Sequence, residues 1–248
     1  MAKVIIIFLI KYCMKSFDIV IRCKDEIEWL PHVFESISNQ TIKPNKIVFV
    51  DDSSSDGSKE FANQHGCHVV DYGDQPFNYS HALNIGIEES NSDTVLLLSA
   101  HCVLYDEFAI EKLVECIDLF SAAGVFGRQI PTNKSSNIDT RDLLTVFGRE
   151  RIIYEKFPFF HNAFSLIDKS VWNDIPFSNS TNGIEDRFWA YSVCSSGYKI
   201  VYEPSAIVYH EHGLNQSSDN HRAKRVCESL KKLHKDDVPF NSSKSIIF

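Results

Sequence analysis

The sequence predicts an α/β domain: a mainly parallel, Rossmann-like sheet flanked by helices, in a single domain with a C-terminal helical tail. Two patterns carry this prediction. From Phe17 onward, short apolar runs alternate with segments of helical period, the arrangement that builds βαβ units. Most of the apolar runs also end in a polar cluster, as strands do when their carboxyl ends open onto a ligand site. Size agrees, because 248 residues of which 44% are apolar suffice for one sizeable core.

The elements follow in order. FDIVIRC, from Phe17 to Cys23, is the first strand. Leu30, Val33, Phe34 and Ile37 then recur at i, i+3, i+4 and i+7, one face of a helix, with Pro31 where a helix start tolerates it. KIVFV is the second strand, Lys59 to Gln64 a short helix, CHVVDY the third strand, and Ser80 to Glu89 a helix leading into TVLLLSA. Ile110, Leu113, Val114 and Ile117 mark the next helix. After VFGRQI the alternation breaks down, and Pro131 to Phe160 is expected to be a variable, substrate-facing insertion. FSLI is a further strand, and regular structure resumes with a helix over Ile184 to Ser196 and strands at KIVYE and AIVYHEH.

Composition excludes several classes. A net charge of −8 argues against a nucleic-acid partner, which needs clustered Lys and Arg. The seven cysteines are odd in number, scattered and never in a Cys-x-x-Cys pair, so neither a disulfide framework nor a zinc clip is indicated and a cytoplasmic setting fits. VIIIFLI, from Val4 to Ile10, is too short to span a bilayer, and no small-residue cleavage site follows it. Residues 1–16 are therefore expected to form an N-terminal extension or an extra strand.

The polar residues beyond the strands form a consistent set: Arg22, Lys24, Asp25 and Glu26 after the first; Asp51-Asp52-Ser53-Ser54-Ser55-Asp56-Gly57 after the second; Ser99 and His101 after TVLLL. Glu185-Asp186 open a helix, and His210-Glu211-His212 close the last strand. The pieces IRCKDEIEWL, IVFVDDSSSDGS, FNYSHALNIGI, LLLSAH and NGIEDRFWAYSVCSSGYKIVYEPSAIVYHEHG, in that order, resemble glycosyltransferase family 2, the inverting enzymes of GT-A fold. The neighbourhood is most similar to bacterial surface-polysaccharide and rhamnosyltransferase-like members. The resemblance implies transfer of a hexosyl or deoxyhexosyl group from a nucleoside-diphosphate sugar to a glycan or lipid-linked acceptor. It divides the chain into a nucleotide-sugar-binding half, 17–130, an acceptor-side and catalytic half, 131–213, and a basic helical tail, 214–248.

The resemblance also implies roles. Asp186 matches the second acid of the Glu-Asp motif and is the expected base, with Glu185 positioning acceptor or backbone groups; both acids would equally suit a plain helix N-terminus. Asp51 and Asp52 are placed where carboxylates accept hydrogen bonds from a base N–H or ribose hydroxyls, and Asn84 near the donor phosphates, while Gly86 permits close packing. Arg22 stands beside the diphosphate. LLLSAH falls where most members carry Asp-x-Asp for a divalent cation, so Ser99 and His101 replace both acids. Imidazole suits manganese better than magnesium, and His101 with His210 is the expected metal pair, His212 the alternate. Two other readings stand: His101 donates to the diphosphate without metal, helped by Arg22 or Lys24, or is a buried histidine with no chemical role.

Two further functions compete. A sugar nucleotidyltransferase would want a Gly-rich loop after the first strand, which IRCKDEIEWLPH lacks. A catalytically degenerate sugar-nucleotide or glycan binder is suggested by the lost Asp-x-Asp, against which stands Asp186 beside Glu185. In the 219–235 tail, Ala223, Val226, Leu230 and Leu233 share a helical face ringed by Arg222, Lys224, Arg225, Lys231 and Lys232. That face is expected to pack on the domain, the alternative being peripheral contact with the inner face of the plasma membrane.

Overall fold

The computed structural model describes residues 15–181, 183–213 and 220–233. Its elements run β1 (Phe17–Cys23), α1 (Leu30–Ser38), β2 (Ile47–Asp51), α2 (Ser58–Gln64), β3 (His68–Asp71), α3 (Tyr79–Glu88) and β4 (Thr94–Ser99). They continue through β5 (Val103–Leu104), α4 (Ala109–Phe120), β6 (Gly124–Ile130), α5 (Asn137–Val146), β7 (Ile152–Tyr154) and β8 (Phe164–Asp168). The last are α6 (Lys169–Asp174), α7 (Glu185–Ser195), β9 (Ile200–Tyr209) and α8 (Asn220–Leu233). VIIIFLI lies outside the described residues.

One sheet runs through both halves of the chain in the order β3-β2-β1-β4-β8-β6-β9-β5, with β7 also paired to β9. The first four strands are parallel, as the βαβ alternation requires. Beyond them the sheet is mixed: β8 is antiparallel to both β4 and β6, and β5 and β7 are antiparallel to β9. Apolar periodicity reports that a segment is a strand and says nothing of its direction, which corrects "mainly parallel" to half parallel.

Side-chain alternation splits the core into two layers. Ile19 and Ile21 of β1 face Leu30, Val33 and Ile37 of α1 and the apolar stripe of α4, while Val20 faces the layer that holds α3, α6 and α7. A methyl group on Gly86 would lie 2.5 Å from Val20 Cγ1, so the close approach of α3 to β1 requires glycine there.

Two expectations change. KIVYE and AIVYHEH are one strand, β9, whose register against β6 jumps from Gly127↔Glu203 to Arg128↔Ile207, leaving Pro204 to Ala206 as a bulge. The 131–160 stretch, expected as a variable, substrate-facing insertion in which the alternation breaks down, holds regular elements, α5 and β7, and Leu143 and Phe147 are fully buried in the core. Among the described residues every cysteine is free, and no helix is long and apolar enough to cross a membrane.

Candidate active site

The turn after β2 is built by its own polar side chains. Asp56 accepts the backbone N–H groups of Ile27 and Ser58, Ser58 Oγ accepts that of Glu26, Ser54 Oγ accepts that of Asp25, and Asp25 Oδ1 accepts that of Ser55 across the same gap. Asp25 adopts φ 54° to do so, a left-handed conformation that Asp tolerates better than most residues. The loop after β1 is thereby pinned to the loop after β2, and Glu26 is held at a fixed place.

Glu26 then grips His101. His101 Nδ1 donates to Glu26 Oε1 at 2.8 Å, and its Nε2 faces His210 Nε2 at 3.1 Å. The two histidines are brought together by β5, whose Val103 pairs with Tyr209, the residue before His210. His210 Nδ1 meets Gln129 Oε1 at 2.7 Å, and Gln129 Nε2 meets His161 Nδ1 at 2.9 Å. The Ala163 N–H also points at His161 Nδ1, so that nitrogen is an acceptor and Gln129 presents its oxygen to His210. Burial, reinforced by His101, His161 and His212, pushes the His210 pKa well below the ordinary imidazole value and keeps the ring neutral. With Nδ1 donating on each ring, both Nε2 atoms keep a lone pair and stand 3.1 Å apart, a donor pair suited to a cation.

The helix α7 starts at the same place. Its N-cap, Ile184, offers no side-chain cap, and carboxylates in the first turn take over: Glu185 Oε2 accepts the Gly183 N–H at 3.1 Å, and Asp186 Oδ1 the Arg187 N–H at 2.7 Å. Glu185 is buried, and burial followed by the neighbouring Asp186 raises its pKa to about 7, against the pull of Arg22. Asp186 is half-buried and lines the cavity. The Arg187 guanidinium stacks on Phe159 with 4.0 Å to the ring centroid, and its pKa is lowered by burial.

These groups surround one cavity of about 830 Å³, within the range of small-molecule sites. Of the residues expected from sequence, Arg22, Asp52, Ser99, His101, Glu185, Asp186 and His210 line it. Arg22 stacks over Tyr79, and Asp52 is ion-paired with Lys24 at 3.1 Å. Two expected residues do not line it. Asp51 is buried, with one oxygen on the Ser54 N–H and the other unpartnered. Asn84, expected near the donor phosphates, spends its amide on the Phe177 backbone and the Trp172 indole N–H. It ties α3 to the chain after α6.

No residue of 131–160 lines the cavity either. The segment acts from behind: Asp139 of α5 accepts the Gly213 N–H and Ser135 donates to the Glu211 carbonyl, which braces the His210–His212 segment. Val226 and Leu230 of α8 do line the cavity, so the packing expectation for the tail is the one the structure supports, while Ala223 and Leu233 fall among side chains outside the description. Sequence reading gave no role to Glu26, Gln129 or Arg187. Their signal was weak, a polar side chain at a strand end or after a motif.

A model of the family described as "Glycosyl transferase family 2" matches residues 18–175, more than half of the chain. The chain belongs to glycosyl transferase family 2. Among curated proteins, this family 2 chain is 25% identical over 204 residues to the O-antigen chain rhamnosyltransferase RfbN of Salmonella typhimurium, covering 77% of the chain and 65% of RfbN. It is 23% identical over 206 residues to a poly-β-1,6-N-acetyl-D-glucosamine synthase of Staphylococcus epidermidis, covering 79% of the chain and 50% of that protein. The chain thus spans between half and two thirds of the length of these relatives. In fold it is similar to the mannosyltransferase PcManGT of Pyrobaculum calidifontis, solved with GDP-Man and Mn2+: TM-score 0.66, 15% identity, 93% of this chain and 66% of that one. S. aureus TarS 1-349 gives TM-score 0.64 at 12% identity, with 94% and 75% covered. The family 2 chain has the fold of GT-A glycosyltransferases.

Proposed function

We propose that the chain is an inverting glycosyltransferase that moves a hexosyl or deoxyhexosyl group from a nucleoside diphosphate to a hydroxyl of a glycan or lipid-linked acceptor in surface-polysaccharide synthesis. The observation that carries this reading is one cavity lined at once by Asp186, by Arg22, Lys24 and Asp52, and by the His101–His210 pair. RfbN and the glucosamine synthase bear names from the same kind of chemistry, and PcManGT holds a nucleotide sugar with Mn2+ on the same fold.

Inversion needs a single displacement. The acceptor oxygen bonds to the anomeric carbon as that carbon's bond to phosphate breaks; the electron pair leaves with the diphosphate, and the acceptor proton passes to Asp186. Asp186 suits this role by access, whereas Glu185 is buried and bound to the Gly183 N–H, which makes it the positioning partner. Arg22 offsets the charge of the diphosphate from the β1 end, and Asp52 stands ready for ribose or base once Lys24 turns to phosphate.

The described residues hold no cluster of three or more His, Cys, Asp or Glu groups able to bind a metal ion, so the protein itself would offer a cation two imidazole nitrogens. Those two fit the task, since Glu26 and Gln129 leave both lone pairs inward. A divalent cation held by His101 and His210, manganese in preference to magnesium, would supply positive charge to the diphosphate oxygens.

The test is release of nucleoside diphosphate from a panel of UDP-, GDP- and dTDP-sugars with glycan acceptors. Asp186→Asn is expected to lower transfer by about 10²–10⁴-fold while nucleotide still raises the melting temperature as in wild type. Undiminished turnover in Asp186→Asn would remove it from the base role; binding without any turnover in wild type would favour the degenerate binder.

A further inference from the structure

Arg187 lines the cavity, is half-buried, and holds its guanidinium carbon 4.0 Å from the Phe159 ring centroid. The ring supports the cation but gives it no oxygen acceptor. Among the described residues no carboxylate pairs with this guanidinium, and Asp186 Oδ1 is bonded to the Arg187 backbone N–H instead. Its side-chain nitrogens keep accessible surface, whereas Arg128 Nε is sealed in without a partner. The helix does not account for the charge either: Arg187 stands in the first turn of α7, where the helix dipole opposes a cation. Burial opposes it too and lowers its pKa, against the pull of Asp186. A partly desolvated cation without an anion is destabilising unless a ligand brings the anion. The donor diphosphate is already served by Arg22 and Lys24 at the β1 end and by the His101–His210 pair, so Arg187 is a further cation, adjoining the base that the acceptor hydroxyl must meet.

We propose that Arg187 selects the acceptor: its guanidinium binds an anionic group, carboxylate or phosphate, on the sugar whose hydroxyl faces Asp186. Consecutive residues of one helical turn that both line the cavity bring base and cation to the same sugar. The planar fork of a guanidinium matches two oxygens of either anion. The assignment rests on the glycosyltransferase reading and deepens it, since it makes the acceptor acidic. Phe159 keeps the fork in place from outside the cavity, so the 131–160 segment contributes to selection without touching substrate. An entering anion pairs the charge, and a neutral sugar of the same shape leaves it unpaired. Discrimination follows, because a charged donor deprived of its acceptor is costly. Arg187 is therefore a specificity determinant rather than a catalytic residue, and carboxylate and phosphate are separated by measurement.

The experiment uses the full chain, with Arg187→Met, which keeps the stem but not the charge, and Arg187→Lys, which keeps the charge but not the fork. The donor is the nucleotide sugar that wild type turns over fastest. Acceptors are methyl hexuronosides and glycosyl phosphates, each paired with the methyl hexoside of the same configuration, and kcat/KM is compared within each pair. Wild type is expected to favour one anionic class over its neutral partner by about tenfold or more. Preference for the hexuronosides assigns a carboxylate; preference for the glycosyl phosphates assigns a phosphate. Arg187→Met should reduce that ratio to within about twofold of unity and Arg187→Lys should retain part of it, while calorimetry shows nucleoside diphosphate affinity within about twofold of wild type. Equal use of anionic and neutral partners by wild type would overturn the proposal. A ratio unchanged in Arg187→Met would do the same: with a lowered melting temperature it marks a residue that only holds Phe159, and with a shifted pH profile for both partners it marks one that acts through Asp186. Loss of nucleoside diphosphate affinity would place Arg187 on the donor instead. If wild type transfers to no acceptor, the glycosyltransferase reading fails by itself, and calorimetry of the same glycosides still decides the anion: a preference lost in Arg187→Met upholds its binding there, and none in wild type refutes it.

Discussion

Glu185→Gln should make the protein more stable at neutral and alkaline pH, an uncommon result for a change inside an active site. Glutamine keeps the shape and the carbonyl that accepts the Gly183 N–H, so what is removed is the ionisation. The Glu185 pKa is about 7 in the folded chain against an ordinary 4.5, with burial the first cause and Asp186 the second. Between those two values the unfolded chain releases the proton and the folded chain keeps it. Wild type therefore loses stability as pH rises through this window, and the loss is complete above pH 7. At 1.36 kcal/mol per unit, the difference corresponds to about 3 kcal/mol as an order of magnitude. Urea unfolding of both proteins at pH 5, 6, 7 and 8 should show near-equal stability at the acid end and a growing advantage for Glu185→Gln. Asp186→Asn should shrink the effect, since it removes the like charge. A difference between wild type and Glu185→Gln that stays flat from pH 5 to 8 would refute the reasoning.

Three more outcomes are expected. Chelation should abolish transfer, manganese should restore it better than magnesium, and manganese binding followed by calorimetry should be lost in His101→Ala and in His210→Ala; full activity of metal-free protein would leave these histidines without a metal role. Asp52→Ala should weaken nucleotide binding with little loss of stability, whereas Asp51→Ala should cost about 1–3 kcal/mol by stripping the Ser54 N–H of its acceptor, which nucleotide calorimetry and urea unfolding would tell apart. Gly86→Ala should cost about 1–3 kcal/mol in urea unfolding, because its methyl would stand 2.5 Å from Val20 Cγ1; an unchanged midpoint would mean that α3 can shift freely on β1.

Much of this was legible in the chain itself. The strands and helices of the first half follow from alternation and helical spacing, since whether a side chain faces the core is a local property of the backbone around it. Sequence order alone also set Arg22, Asp52, Ser99 and Asp186 at the ends of elements, where open sheets bind ligands. Gly86 read correctly as a packing residue for the same local reason.

Tertiary structure decided how those residues meet. Periodicity carries no strand direction, so the antiparallel insertion of β8 between β4 and β6 was invisible, and with it the fact that α5 braces the site from outside. His101 and His210 are far apart in sequence, and the two-residue strand β5 that joins them is too short to show any period. Glu26 and Gln129 become tautomer-setting partners, and Asn84 is drawn away to Phe177 and Trp172, because a side chain's partner depends on the register of segments that share no local sequence. Local sterics fix which elements form and which way each residue faces, but the pairing of distant elements fixes which polar groups remain for a ligand.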